Sequence, residues 1–481
     1  MKNTMQYFIG VDIGTTSVKS VAFNGAGNVL HIHATEYAMQ HPLPGTSEQN
    51  ALLIFDAFID GLQKNMAALN SKPAFVAFSA AMHSLMAVDE NGKPITPLII
   101  WADNRAAGIA EKLHTENKAW FYYEKTGVPV HPMSPLCKLM WMKENEAFTW
   151  HRAYKFIGIK EYIFYRLFGQ FVVDTSVASA TGLLNTTRLQ WDDEILSHLD
   201  LPVDKLSKVV SAKQIYFTGE DYPSFAGIPF VIGASDGALA NLGTHAIDDI
   251  MAVTIGTSGA ARMMVKYPLP DEQMRTFCYH VKDDRFIIGG AGNNGAVVLQ
   301  WLKENIFENA QDFEVLFEKA SAIAAGADGL IMLPYLLGER APIWNAGAKA
   351  VLFGLTKNHW QAHIIRAAME AVIFSVYDIA SVIMQTHGVT CVHASGGFAQ
   401  SRLWLQILAN VFNLPVFVNG AYEAAAYGAV ILGAEALQIE ANFEHRTIDA
   451  VYPAEAENKI YMACFEKYRR LYVLLKDEMN H

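Results

Sequence analysis

Two short turns of similar composition divide this chain. Gly14-Thr15-Thr16 lies between the strand-like runs YFIGVDI and SVKSVAFN, and Gly256-Thr257-Ser258 lies between DIMAVTI and GAARMMV. The turns stand 242 residues apart in a chain of 481. Self-similarity at half the chain length predicts two related halves, each offering a Gly-Thr hairpin turn. A chain this long also exceeds what one core organises, so two lobes are expected, 1–245 and 246–481. Two such turns facing each other across a cleft would clamp one polyphosphate from two sides.

A hairpin turn by itself asks only for Gly, Asn or Asp. The first one adds an acid, two hydroxyls and a lysine. Backbone N–H groups with the hydroxyls of Thr15 and Thr16 suit phosphate oxygens, because a concave set of N–H dipoles favours an anion. Asp12, at the end of the first strand, suits a hydrated Mg²⁺, which prefers one or two carboxylates plus phosphates. Lys19 points the same way as Ser17 and reaches toward a phosphate. The bland alternative is an ordinary hairpin with a capping Asp. Asp236 closes the apolar run PFVIGAS and opens DGALANLG. Position alone favours a helix N-cap there. The functional alternative is a general base for a substrate hydroxyl attacking a γ-phosphoryl group.

Other stretches need weighing. GAGNNG (290–295) matches the dinucleotide fingerprint, but no strand ending in Asp or Glu follows about 20 residues on. It reads as a close-packed glycine turn near a nucleotide. ASGGFAQSRLW (394–404) places two glycines between a strand and a helix, where a flat base could lie against the backbone. In MHS (82–84), Met82 reads by default as core and His83 as a satisfied histidine. Trp101, Asp103, Asn104 and Arg105 cluster in one loop, with groups able to stack on or hydrogen-bond a polyol. GERAPIWN (338–345) reads as a surface ion pair of Glu339 and Arg340, and GIKEYIFYRLFG (158–169) as an amphipathic helix. A helix is also expected over roughly 50–69, and a hairpin in LMAVDENGKPI with its turn at Asn91-Gly92.

Composition narrows the class. A hydrophobic fraction of 52%, a charged fraction of 18% and a net charge of -11 fit a globular protein and argue against a nucleic-acid surface. Four scattered cysteines form no CxxC pair, which suggests reduced thiols in the cytoplasm. No signal peptide is visible, and no run of 18 apolar residues predicts a membrane span.

Eight motifs stand in order from residue 10 to 401: GVDIGTTSVK, AMHS, WADNR, GASDG, TIGTSG, GERAP, FGLT and SGGFAQS. Together they resemble the FGGY family of carbohydrate kinases over nearly the whole chain, and within it the gluconate kinases. The resemblance implies an α/β, two-lobed actin/hexokinase-like (ribonuclease H-like) fold, with duplicated domains around a central cleft. The N-terminal lobe (1–245) would take sugar and phosphate, and the C-terminal lobe (246–481) the nucleotide. It further implies ATP and Mg²⁺ as cofactors, with transfer of the γ-phosphoryl group to a sugar hydroxyl.

Residue by residue, Asp12 matches the family's metal-associated aspartate. Thr15 and Thr16 match its first phosphate turn, and Gly256 and Thr257 its second. Asp236 matches the catalytic base, which overrides the cap reading. Gln300 matches a nucleotide contact, and Gly396, Gly397 and Ser401 the adenosine-side loop. Met82, His83, Trp101, Asp103, Asn104 and Arg105 match substrate-side positions. Ser84 stands where xylulose kinases tend to have Gly. D-Gluconate carries a carboxylate that wants a cation; Arg105 is the first candidate, Lys138 and Lys160 the next. A xylulose or other pentulose or polyol acceptor is the main alternative. A silent sugar sensor or an actin-like ATPase is the alternative of another class. Among oligomers, a homodimer is the base-rate expectation.

Overall fold

A computed structural model describes residues 6–307, 312–420, 423–443 and 447–479. The chain forms two compact units. Unit 1 comprises Met1–Gly243, Val265–Ile287 and Glu423–Glu444; unit 2 comprises Thr244–Met264, Ile288–Tyr422 and His445–His481.

Unit 1 is built on strands β1 (Tyr7–Ile13), β2 (Ser17–Asn24) and β3 (Val29–Glu36), helix α1 (Ala51–Leu69) and strand β4 (Val76–Ala80). β1 runs antiparallel to β2 and parallel to β4, with Ile13 opposite Val18 and Ile9 opposite Val76. It is apolar nearly throughout because it is buried on both faces, by α1 on one and helix Ala424–Ala436 on the other. β3 alternates between half-buried and exposed positions, as an edge strand with one wet face does. α1 begins where Asn50 Oδ1 accepts from Leu52 N at 2.9 Å, and Phe55, Phe58 and Leu62 face the core.

Residues 105–225 hold more helix than strand. They include α2 (Pro135–Asn145) and α3 (Ile159–Phe168). The turn at Asn91-Gly92 forms, with Gly92 N donating to Asp89 O at 3.0 Å. Its strand Met86–Val88, however, pairs with Lys155–Ile157 and meets residue 94 only through one bridge from Val88. Strand β5 (Phe230–Ser235) returns beside β4 and leads into α4 (Asp236–Gly243). Gly10, Gly243 and Gly428 let β1, α4 and helix Ala424–Ala436 approach so closely that a Cβ at any of them would strike backbone. This packing fixes α4, and with it Asp236.

Unit 2 repeats the arrangement. β6 (Ile250–Ile255) runs antiparallel to β7 (Gly259–Val265) and parallel to β8 (Cys391–Ser395), with Ile255 opposite Gly259 and Met251 opposite Val392. Strands Val416–Asn419 and Thr447–Val451 extend the sheet beyond β8. The helix Gln361–Met384 is long and apolar enough to cross a membrane, but 83% of its most apolar window is buried, as a core helix is. It also carries an Arg366–Glu370 ion pair at 2.7 Å.

Candidate active site

In unit 1 the first turn projects from the β1–β2 hairpin. Gly14 N donates to Ser17 O at 3.0 Å and closes it, and the Tyr37 hydroxyl donates to Gly14 O at 2.5 Å. Thr15 is half-buried and Thr16 exposed. Asp12 Oδ1 accepts from Ser79 Oγ at 2.8 Å. Burial pushes the Asp12 carboxyl up to about 6, and the nearby charge of Asp236 adds to the rise. Two carboxylates from different elements of unit 1 therefore share one electrostatic environment. Lys19 sits opposite Asp12 across the hairpin, and its ammonium bonds Glu423 at 3.0 Å.

Asp236 is half-buried at the first position of α4, where its Oδ1 accepts from Gly237 N at 2.6 Å. The strand end that presents it is braced. Lys160 Nζ bonds Asp174 at 2.7 Å and Ala234 O at 3.1 Å, and Ser176 Oγ lies 3.0 Å from Ser235 Oγ. Lys160 is only 2% exposed, so α3 is not the amphipathic surface helix its sequence suggests.

The substrate-side residues lie on two loops. His83 is buried in the left-handed region (φ 68°), with Nδ1 2.9 Å from Ala180 O, and Met82 is half-buried. Trp101 Nε1 donates to Thr15 Oγ1 at 2.8 Å, which joins the second loop to the first turn. Asp103 is fully buried. It accepts from Ser47 N at 2.7 Å and, at 2.8 and 2.9 Å, from Arg105 Nε and Nη2. Arg105 also pairs with Glu48. Its guanidinium is thus held by two carboxylates of its own chain. Asn104 is exposed, and its N–H bonds Gly45 O at 2.8 Å. Lys138, wholly buried, donates to main-chain carbonyls of both loops.

In unit 2, Gly256 N donates to Ser258 O at 2.9 Å and closes the second turn, leaving Thr257 exposed. Gly295 packs against the turn; its N–H bonds Thr257 O at 3.0 Å and Ala296 N bonds Gly256 O at 2.7 Å. Gly290–Gly292 thus end the strand Arg285–Gly292, and the close-packed turn expected is made by Asn293–Gly295 alone. Glu339 is not part of a surface ion pair. It is 1% exposed and accepts from the N–H of Asn293 (2.5 Å) and Arg340 (2.9 Å) and from Asn294 Nδ2 at 3.1 Å. The surface reading fails because Glu339 is needed to satisfy the inward-facing N–H groups of the glycine turn. Gly396 has φ 100° and lies against the Ile255 backbone; Gly397 is exposed and would leave open space around a Cβ. Ser401 caps the helix Arg402–Phe412, its Oγ accepting from Trp404 N at 3.3 Å. Gln300 is exposed and pairs with Glu304.

The two hairpins correspond in detail. Asp12 stands opposite Ser79 in the parallel register of unit 1, and Thr254 opposite Ser395 in that of unit 2. Both pairs are joined, at 2.8 Å and 3.0 Å. The acid at the strand end is therefore particular to unit 1.

Comparison with known proteins decides the family. The N-terminal domain of the FGGY family of carbohydrate kinases matches residues 7–243 and its C-terminal domain residues 251–437. A gluconokinase of Bacillus licheniformis is 43% identical over 445 residues, covering 89% of this chain and 87% of that protein. The chain belongs to the FGGY family of carbohydrate kinases. It is accordingly an ATP-dependent carbohydrate kinase with the family's two-domain α/β fold of the actin/hexokinase type. A xylulose kinase of Staphylococcus xylosus is more distant, at 29% over 489 residues, 97% of this chain and all of that one. Two solved structures from Lactobacillus acidophilus are alike in fold. One is titled a gluconate kinase (TM-score 0.94, covering 98% of both chains) and one a ligand-bound xylulose kinase (TM-score 0.95, covering 98% and 99%), each 34% identical. FGGY backbone geometry alone thus does not separate the two acceptors.

The residues suit the divalent cation such kinases use. Asp12 is a carboxylate whose charge is disfavoured by burial and by Asp236, a penalty that a cation would relieve. No cluster of three or more His, Cys, Asp or Glu occurs among the described residues, so an ion here would draw its remaining ligands from phosphate and water. The sequence gives no site role to Ser79, Tyr37 and Glu339. Only Glu339 lies in a recognised motif; the other two act through neighbours distant in the chain.

Proposed function

We propose that this kinase transfers the γ-phosphoryl group of ATP to D-gluconate, giving 6-phospho-D-gluconate and ADP. The observation that carries the acceptor is the 43% identity to a gluconokinase, against 29% to a xylulose kinase. Asp236 accepts the proton of the attacking hydroxyl as its oxygen bonds phosphorus and the bond to the β-phosphate oxygen breaks. The position of Asp236 at a braced strand end, on the same field as Asp12, supports this role. Asp12 holds Mg²⁺ through water, and the bound ion supplies charge neutralisation on the phosphates. Thr15, Thr16 and Lys19 serve the phosphates on unit 1, and Gly256 and Thr257 on unit 2. Gln300, Gly396, Gly397 and Ser401 serve the nucleoside. Met82, His83, Trp101, Asp103, Asn104 and Arg105 shape the acceptor side. A cytoplasmic location is supported by the four free cysteines.

A second reading, xylulose or another pentulose, has an observation of its own. Arg105 and Lys160 are already paired with carboxylates, so of the three candidate cations only Lys138 lacks an acidic partner at bonding distance. A coupled assay across gluconate, xylulose, ribulose and glycerol separates the readings. Gluconate is expected to give the highest kcat/KM, and a preference for a neutral sugar overturns the assignment. Asp236→Asn is expected to lose at least a hundredfold in kcat; turnover near the original rate removes the base role.

A further inference from the structure

Lys138 lies between these loops and has no acidic partner at bonding distance among the described residues. It lies on the first turns of α2, whose start is fixed by Ser134 Oγ accepting from Cys137 N and by Leu136 N donating to Thr181 O at 3.0 Å. Its side chain is wholly buried, and its ammonium reaches His83 O at 2.6 Å, Ile100 O at 2.8 Å and Ile99 O at 3.5 Å. An ammonium has three donors and no acceptor, so this set saturates it. Burying a charge without a counter-ion is costly, and a chain that needed only to fill the space would place Met there.

The three carbonyls belong to two segments, one on each side of the ammonium. One is His83, held at a left-handed φ beside Met82. The others end the strand leading into Trp101–Arg105. Ile99 O also accepts from Leu85 N at 2.9 Å, and Ile100 O from Asp103 N at 3.2 Å. The ammonium therefore links a chain of contacts: His83 loop, Lys138, Ile100, Asp103, and through Trp101 the first turn at Thr15.

We propose that Lys138 is a positioning residue that holds the His83 loop and the Trp101–Arg105 loop in one fixed geometry and so sets acceptor affinity. It touches neither acceptor nor nucleotide; its three donors are spent on main chain. The inference rests on the reading of these two loops as the acceptor side, and is independent of which sugar is the acceptor.

The test uses the full chain and whichever acceptor the wild-type panel favours, so a wrong gluconate assignment shows in the panel and not here. Lys138→Met is expected to raise KM for that acceptor at least tenfold, with KM for ATP within twofold. It is also expected to raise amide hydrogen exchange at 83–86 and 99–105 above the rest of unit 1. If Lys138→Met does not fold, Lys138→Gln, which keeps two donors, takes the same measurements. An unchanged acceptor KM overturns the proposal. So does an equal rise in both KM values, or failure of both variants to fold, since each makes Lys138 a general support. Loss of gluconate turnover with neutral sugars unaffected also overturns it, because that pattern marks a direct contact with the acceptor's charge.

Discussion

Trp101 Nε1 donates to Thr15 Oγ1 at 2.8 Å, across 86 residues of sequence. The bond ties the loop that carries Asp103, Asn104 and Arg105 to the turn read as a phosphate site. It also orients the Thr15 hydroxyl, whose own proton is then free for a second partner.

Trp101→Phe keeps the ring and removes the donor. A net hydrogen bond is worth about 1 kcal/mol, so kcat/KM is expected to fall by roughly fivefold with a small change in melting temperature. Steady-state kinetics with both substrates varied checks this. Unchanged constants would mean that the orientation of Thr15 does not matter.

Asp12 sets a pH dependence. Its folded carboxyl is raised from 3.8 to about 6, chiefly by burial and then by Asp236. In that window the folded chain holds a proton the unfolded chain has released. The group's contribution to stability is thus full below 3.8 and is lost as pH rises through 6. Asp12→Asn is expected to raise stability at pH 8 by on the order of 1–2 kcal/mol while turnover falls at least a hundredfold. Activity of the wild type is expected to drop as pH falls below 6, as the carboxylate protonates. Thermal melts and rates of both proteins at pH 5 and 8 decide it; a destabilised Asp12→Asn would contradict the electrostatic account.

Asp174→Asn strands the buried ammonium of Lys160 beneath β5. Breaking a buried pair costs about 3–5 kcal/mol, and the strand end presenting Asp236 loses its brace. Urea denaturation should show the stability loss. kcat is expected to fall more than either KM changes, because the residue displaced is the proposed base.

Gly396→Ala places a methyl group against the Ile255 backbone at a φ that alanine resists. Ile255 leads directly into Gly256-Thr257. KM for ATP is expected to rise about tenfold or more, by the few kcal/mol such strain costs, with acceptor KM unchanged. Nucleotide titration by calorimetry provides a check without turnover.

The helix expected over roughly 50–69, the two Gly-Thr hairpins, the strand running up to Asp236 and the close-packed turn within 290–295 were legible because periodicity and turn chemistry are local. The misread stretches share one cause. Glu339 looked like a surface acid and α3 like an amphipathic helix, because both charges are buried by elements far off in sequence. Arg105 looked like a free cation, yet its partners include Glu48, 57 residues away.

The sequence by itself determined the repeated Gly-Thr hairpin, the acids at the ends of two apolar runs and the ordered motifs of a sugar kinase family. These depend on residues adjacent in the chain and on alternation with period two or 3.6. Only the tertiary structure decided which charges are spent and which are exposed to each other. Asp12 feels Asp236, Arg105 is neutralised by Asp103 and Glu48, and Lys138 grips two loops. Pairing and desolvation are set by which distant segments are packed into the same low-dielectric interior, and no local pattern encodes that.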